Sequence, residues 1–240
     1  AEFVRWAEAG GRRRIVLTNN SSKAREVYQA RLAALDMRVP LDDVLTSGDA
    51  GAEWLAAHTA LRRPFVLGTE ALKAACVRAG LTPTTLADGP DCVLLGYDTS
   101  LTYATLTDAC LLVAQDLPYY ATHADKTCID PRGLLPDAGA FIEAIATTTK
   151  GRRPTLLGKP TGAMLEAGLR RVGTPKDQTI MVGDQLDTDI ALGAQHDVLC
   201  ALVMTGETSA AMLADSPVKP DIVVPHVGAL LELLKAAQPG

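Results

Sequence analysis

Aromatic side chains make up only 4% of the 240 residues, and no apolar run approaches the length of a membrane-spanning helix. The scarcity of rings leaves a core to be filled by Leu, Val, Ile and Ala, the usual filling of parallel α/β sheets. Basic residues are not in excess either. The formal net charge of −5 argues against nucleic acid as a bulk partner, and the densest basic run, Arg12 to Arg14, fits a solvated strand start. The five cysteines, Cys76, Cys92, Cys110, Cys128 and Cys200, form no Cys-x-x-Cys pair and are odd in number, which indicates neither a zinc site nor a disulfide framework. No charged-then-apolar leader is found ahead of Ala1, so the expected compartment is a reducing cytoplasm with no membrane partner. Internal repeats and low-complexity tracts are also missing.

What is present is a rhythm of apolar runs and amphipathic stretches separated by short turn signals. Helices are predicted over residues 2–9, 22–36, 49–61, 69–79, 102–116, 138–148, 161–172, 186–195 and 227–236. Strands are predicted over 13–18, 64–67, 91–97, 118–122, 155–158, 178–182, 198–203 and 221–224. Such alternation implies right-handed crossovers and a parallel sheet. A chain of this length allows one large domain or two smaller ones. The sequence opens inside a helix, Ala1 to Ala7, with neither cap nor preceding strand, and an upstream element is therefore expected to be missing.

Three strand ends carry polar chemistry. Ile180-Met181-Val182 runs into Gly183-Asp184, and Asp187 and Asp189 follow within the next helical pattern. Open α/β folds keep their ligand crevice at such carboxyl ends. A lone Asp there is as readily a helix cap. Three carboxylates in six residues repel one another unless a cation neutralises them, and a hard divalent ion, Mg²⁺ first, suits oxygen ligands. The second strand end is Thr18-Asn19-Asn20-Ser21, whose hydroxyls and amides at a predicted helix start would make a cradle for phosphate. Capping explains Ser21 or Ser22 but not two consecutive Asn behind a Thr. The third is Leu157-Gly158-Lys159-Pro160, a weak signal alone, in which Lys159 offers a compact cation to a phosphate oxygen. A cradle, a cation and a carboxylate cluster are the parts of a phosphoryl-transfer site.

In that order and separation, Thr18-Asn19-Asn20-Ser21, Gly158-Lys159-Pro160 and Gly183-Asp184 through Asp189 resemble motifs two, three and four of the haloacid dehalogenase superfamily. More narrowly they resemble its NagD-like, 4-nitrophenylphosphatase branch, supported by Thr46-Ser47-Gly48, Leu94 to Asp98, Thr122 to Asp125 and Leu135 to Gly139. The resemblance implies a Rossmann-like parallel-sheet core formed by residues 1–47 and 154–240, with an α/β cap inserted over 48–153. It further implies a Mg²⁺-dependent phosphatase of small phosphorylated metabolites, sugar phosphates or nucleotides. Thr18, Asn19 and Asn20 would hold the phosphoryl group, Lys159 would neutralise it, Asp184 would bind the metal, and Asp189 would steady Lys159 and the metal's waters. The cap loop around Thr122 to Asp125 would face the substrate. On it Asp125 is a candidate substrate contact, while His123 reads equally as a substrate contact and as a satisfied structural residue. Association through the cap as a homodimer is implied by analogy.

One departure stands against this. The superfamily's first motif, a strand ending in Asp-x-Asp-Gly whose first Asp attacks phosphorus, has no match ahead of Thr18. The expectation is a missing N-terminal strand, with the sequence inactive without it. The alternative reading is a non-catalytic phosphate-binding protein.

Overall fold

The computed structural model describes residues 1–237. In chain order the elements are α1 (Glu2–Ala9), β1 (Val16–Thr18), α2 (Arg25–Ala34), β2 (Val44–Thr46), α3 (Ser47–His58), β3 (Pro64–Leu67) and α4 (Glu70–Arg78). They continue with β4 (Cys92–Leu95), α5 (Tyr103–Ala114), β5 (Tyr119–Ala121), β6 (Thr127–Asp130), β7 (Gly133–Pro136), α6 (Ala138–Thr148) and β8 (Thr155–Leu156). The last third holds α7 (Gly162–Val172), β9 (Ile180–Gly183), a π turn over Leu186–Ile190 running into α8 (Ala191–Gln195), and β10 (Leu199–Val203). It closes with α9 (Ala210–Asp215), β11 (Ile222–Val224) and α10 (Val227–Ala236). The fold is α/β with parallel sheets, as the alternation requires.

By their contacts the residues form two compact units. One comprises Ala1–Ile15, Gln29–Asp43 and the chain from Lys159 onward; the other comprises Val16–Tyr28 and Val44–Gly158.

In the first unit a parallel sheet runs β11-β10-β9. The central strand β10 uses the two-residue period of a strand to feed both faces. Cys200 and Leu202 pack with Leu186 and Ile190 on one side, and Ala201 packs with Val224 and Leu230 on the other. Fully burying a leucine such as Leu202 contributes about 1.5–3 kcal/mol. Register pairs Gly183 with Leu202, which sets the carboxyl ends of β9 and β10 side by side.

In the second unit four parallel strands run β3-β4-β5-β8, and every residue of β4 is buried, as a central parallel strand requires. Phe65, Leu67, Val93 and Leu95 pack with Leu112, Val113, Ile142 and Ile145 from α5 and α6. The sheet takes its last strand from β8, just past the 153 boundary drawn from sequence. A separate parallel pair, β1 and β2, brings Thr18 opposite Thr46 at its end. Thr46 then caps α3, its hydroxyl accepting from the Asp49 N–H at 3.1 Å. The antiparallel hairpin of β6 and β7 was not foreseen: Thr-Cys-Ile-Asp and Gly-Leu-Leu-Pro show no apolar–polar alternation, and Ile129 and Leu134, paired across it, are both exposed. Three-residue β2 and six-residue α9 were too short to stand out.

Candidate active site

In the first unit the end of β9 folds over Asp189. A Cβ on Gly183 would stand 2.2 Å from the Asp189 Cβ, so only glycine admits this approach. Asp189 is buried at 5% exposure, and its Oδ2 accepts from the N–H groups of Asp184 (3.1 Å) and Gln185 (3.3 Å). Its other oxygen, Oδ1, accepts from Lys159 Nζ at 2.6 Å. The π turn that carries Asp189 is a rare geometry, one that recurs at functional sites. The Lys159-Pro160 peptide is cis, and the Pro160 carbonyl lies 3.1 Å from His196 Nε2. The three acids of the motif therefore separate into different environments: Asp189 is paired with Lys159, Asp187 faces water, and Asp184 is half-buried. Mutual repulsion among three free carboxylates is not what shapes this turn.

Asp184 is held from β10's side. Its Oδ2 accepts from the Glu207 N–H at 2.9 Å, and its carbonyl accepts from the Thr208 hydroxyl at 2.6 Å and the Thr208 N–H at 3.3 Å. Sequence reasoning gave the Gly206 to Thr208 turn no role. The only available signal was a glycine soon after a strand end, and which strand lies beside β9 is a tertiary fact.

In the second unit β1 ends at Thr18, whose hydroxyl accepts from the Asn20 N–H at 3.2 Å. The Asn20 side chain accepts from both the N–H (2.9 Å) and the hydroxyl (2.7 Å) of Ser22. These local bonds give the backbone an alternative to helix, and α2 begins at Arg25 instead of the predicted 22. The helix-start cradle expected at Ser21 is thus an Asx turn ahead of the helix. Asn19 is buried at 7% exposure; its Nδ2 donates to Asp125 at 3.4 Å and 3.3 Å, and its carbonyl accepts from the Ser47 hydroxyl. Asn19 and Asp125, 106 residues apart in sequence, are brought together.

Behind Asp125 lies a buried polar chain. Asp137 Oδ1 is 2.9 Å from His123 Nε2, His123 Nδ1 is 2.9 Å from the Thr122 hydroxyl, and that hydroxyl donates to Ser21 Oγ at 3.0 Å. Ser21 Oγ also accepts from the Tyr97 N–H at 2.9 Å. Carboxylate, imidazole and hydroxyl in series is the order of a nucleophile-activating triad. Here Thr122 and His123 are 0% exposed and Ser21 is 2% exposed, so no substrate reaches the hydroxyls. The chain is a brace. Of the two readings of His123, its burial and its two partners support the satisfied structural residue. Beside the brace, Tyr97 is pushed up to about 12, chiefly by burial, with Cys128 adding to the rise.

Among the described residues no group of three or more His, Cys, Asp or Glu side chains is arranged to hold a metal ion. Mg²⁺ does not require one: it takes one or two carboxylates, keeps several waters and completes its octahedron with substrate phosphate. Half-buried Asp184, an oxygen donor at a strand's carboxyl end, fits that demand.

Parallel strands followed at their carboxyl ends by a lysine–aspartate pair and a further carboxylate define an α/β protein with polar, charged strand ends, where open α/β folds keep their ligand crevice. Comparison with known proteins gives that class a family. Residues 1–82 match the family model described as haloacid dehalogenase-like hydrolase, and residues 156–230 match one described as HAD-hydrolase-like. The chain is 31% identical over 219 residues to the 5'-nucleotidase YutF of Bacillus subtilis, covering 91% of this chain and 84% of that protein. The 4-nitrophenylphosphatase of Thermotoga maritima superposes with a TM-score of 0.90 at 38% identity, covering 99% of this chain and 89% of that one. The glycerol phosphate phosphatase of Mycobacterium tuberculosis, solved in complex with magnesium, matches with a TM-score of 0.86 at 30% identity, over 91% of this chain and 67% of that one. The chain belongs to the haloacid dehalogenase-like hydrolases, in their NagD-like branch.

Proposed function

We propose that this chain is a Mg²⁺-dependent phosphomonoester hydrolase acting on small phosphorylated metabolites. The observation that carries the reading is the Lys159–Asp189 pair at 2.6 Å, whose aspartate also takes the Asp184 N–H. This arrangement holds an ammonium and a second carboxylate in fixed relation, as a site that stabilises developing phosphoryl charge requires. The names of its relatives, a 5'-nucleotidase, a 4-nitrophenylphosphatase and a glycerol phosphate phosphatase, support the same chemistry.

In this reading Thr18 and Asn19 hold the phosphoryl group, with Asn20 shaping the turn that presents them. Asp125 fixes the Asn19 amide through its two contacts. Lys159 places its charge against a phosphoryl oxygen, and Asp189 keeps that ammonium from wandering. Asp184 holds the metal, which when bound neutralises phosphoryl oxygens as a Lewis acid. The reaction proceeds through an aspartyl-phosphate whose carboxylate belongs to the superfamily's Asp-x-Asp-Gly strand; residues 1–17 carry no such motif. Residues 48–153 act as the cap, and of their loop Thr122 to Asp125 it is Asp125 that serves the substrate, through Asn19, while Thr122 and His123 brace it from inside.

The test is hydrolysis of 4-nitrophenyl phosphate by the purified protein. Turnover should depend on Mg²⁺, vanish in Asp184→Ala and fall about 10²–10³-fold in Lys159→Ala, the usual loss for one electrostatic donor. Phosphate-dependent stabilisation with no turnover of any phosphomonoester would refute it.

A further inference from the structure

We propose that the turn Thr205 to Thr208, which follows β10, is the positioning element of the metal-binding carboxylate, and that Gly206 and Thr208 set the orientation in which Asp184 takes Mg²⁺. The inference rests on the proposed role of Asp184 as the metal ligand.

A carboxylate at a strand end rotates freely about its last bond unless something fixes it. At Asp184 one contact does so directly, and a second holds the backbone that bears the carboxylate. The Glu207 N–H donates to Oδ2 at 2.9 Å, which assigns that oxygen to the protein and the other, Oδ1, to the metal. Among the described residues none hydrogen-bonds Oδ1. The Thr208 hydroxyl and N–H both reach the Asp184 carbonyl, at 2.6 Å and 3.3 Å, and tie the turn to the backbone from which the carboxylate springs. Thr208 is 4% exposed although Thr205, Gly206 and Glu207 beside it face water, so its side chain is turned inward onto this one partner.

Gly206 is required by space alone. Its φ lies outside the left-handed region, so no left-handed backbone calls for glycine there. A Cβ, however, would stand 1.9 Å from Asp184 Oδ2, 2.3 Å from Cγ and 2.4 Å from Cβ. With an alanine, either the carboxylate swings away or the turn withdraws, and both break the Glu207 contact. Thr205, Gly206 and Glu207 face water and none of them belongs to the apolar clusters of the sheet, so this part of the turn can withdraw without unpacking them. Metal affinity suffers while the fold does not. Partners that orient a ligating carboxylate are typically responsible for 10–100-fold in metal affinity.

The experiment measures Mn²⁺ binding by the electron paramagnetic resonance of the free ion, with Mg²⁺ as competitor, on the full chain and four variants. Expected are binding by the unaltered chain, loss of that binding in Asp184→Asn, and a Kd raised about 10-fold or more in Gly206→Ala. Thermal unfolding of Gly206→Ala in EDTA should match that of the unaltered chain. Thr208→Val should weaken binding and Thr208→Ser, which restores the hydroxyl, should recover it; this pair decides the matter if Gly206→Ala does not fold. Unchanged Mn²⁺ affinity in Gly206→Ala, or equal affinities in Thr208→Val and Thr208→Ser, overturns the positioning role while leaving Asp184 as ligand. Unchanged binding in Asp184→Asn overturns both that role and the reading of Asp184 on which it rests.

Discussion

Lys159 Nζ lies 2.6 Å from Asp189 Oδ1, with the two side chains only 10% and 7% exposed. Breaking so buried a pair by removing one member costs about 3–5 kcal/mol. The two members are not equivalent. Asp189 also accepts from the Asp184 and Gln185 N–H groups, so it keeps two donors when Lys159 is removed.

Lys159→Met should therefore destabilise the protein less than Asp189→Ala does. The alanine strips three donors of their acceptor at once, and its cost belongs at the upper end of that range. Urea unfolding at constant m-value measures the difference. A lysine variant as unstable as Asp189→Ala would mean that the backbone donors do not hold the aspartate.

His123 supports the second unit from inside. His123→Ala removes both the Asp137 and the Thr122 contacts and opens a void at a position with no solvent access, so it should cost about 2–4 kcal/mol. His123→Asn, which retains a donor and an acceptor in similar space, should cost less. The Michaelis constant for 4-nitrophenyl phosphate should follow the same order. Asp125, two residues along this loop, faces Asn19, and the Asp125 carbonyl accepts from the Gly139 N–H at 2.9 Å. A histidine variant that alters turnover number alone, with no loss of stability, would contradict a bracing role.

How much of this was legible in the sequence depends on how local its cause was. Cys92 to Leu95 is a continuous apolar run, and it is a buried central strand. Val227 to Ala236 is amphipathic behind His226, and it is a helix over the range read for it, with His226 Nδ1 accepting from the Ala229 N–H. The first helix likewise spans the range read for it, Glu2 to Ala9. Ser22 to Ala24 looked helical and is not, because the Asn20 side chain takes the Ser22 N–H. The Asn19–Asp125 contact, the Asp137–His123–Thr122–Ser21 chain and the turn against Asp184 were beyond sequence reasoning. Each joins segments that only the order of strands brings together.

Gly158 marks a close approach that a single methyl group would disturb. A Cβ there would lie 2.1 Å from the Thr122 carbonyl and 2.8 Å from Asn19 Oδ1, with Ser47 Cβ at 3.2 Å. Two of these atoms belong to backbone or to a buried amide, so neither yields easily. Gly158→Ala should cost about 1–3 kcal/mol, as overpacking does. It should also displace Asn19 and so weaken the binding of inorganic phosphate, followed by calorimetry. Wild-type stability in this variant would show that β8 and the Thr122 loop have slack that the packed geometry does not suggest.

Two buried phenols give the protein an alkaline limit. Burial pushes Tyr97 up to about 12 and raises Tyr119 as well, against an ordinary value near 10. In both cases the folded state prefers the neutral ring. The sign follows directly: where the folded value lies above the unfolded one, the stabilisation is fully present below about pH 10 and is lost as the pH climbs through about 12. Unfolding free energy should accordingly be insensitive to these groups up to about pH 10 and should fall beyond it. Absorbance at about 295 nm reports tyrosinate directly. At about pH 11 the native protein should show less of it than the urea-unfolded protein, since Tyr97 and Tyr119 keep their protons until the fold opens. Phe substitution tests the origin of the effect: Tyr119→Phe and Tyr97→Phe should each remove part of the difference between native and unfolded titrations. Superimposable titrations of native and unfolded protein would mean that these rings are open to water, contrary to their 4% and 6% exposure.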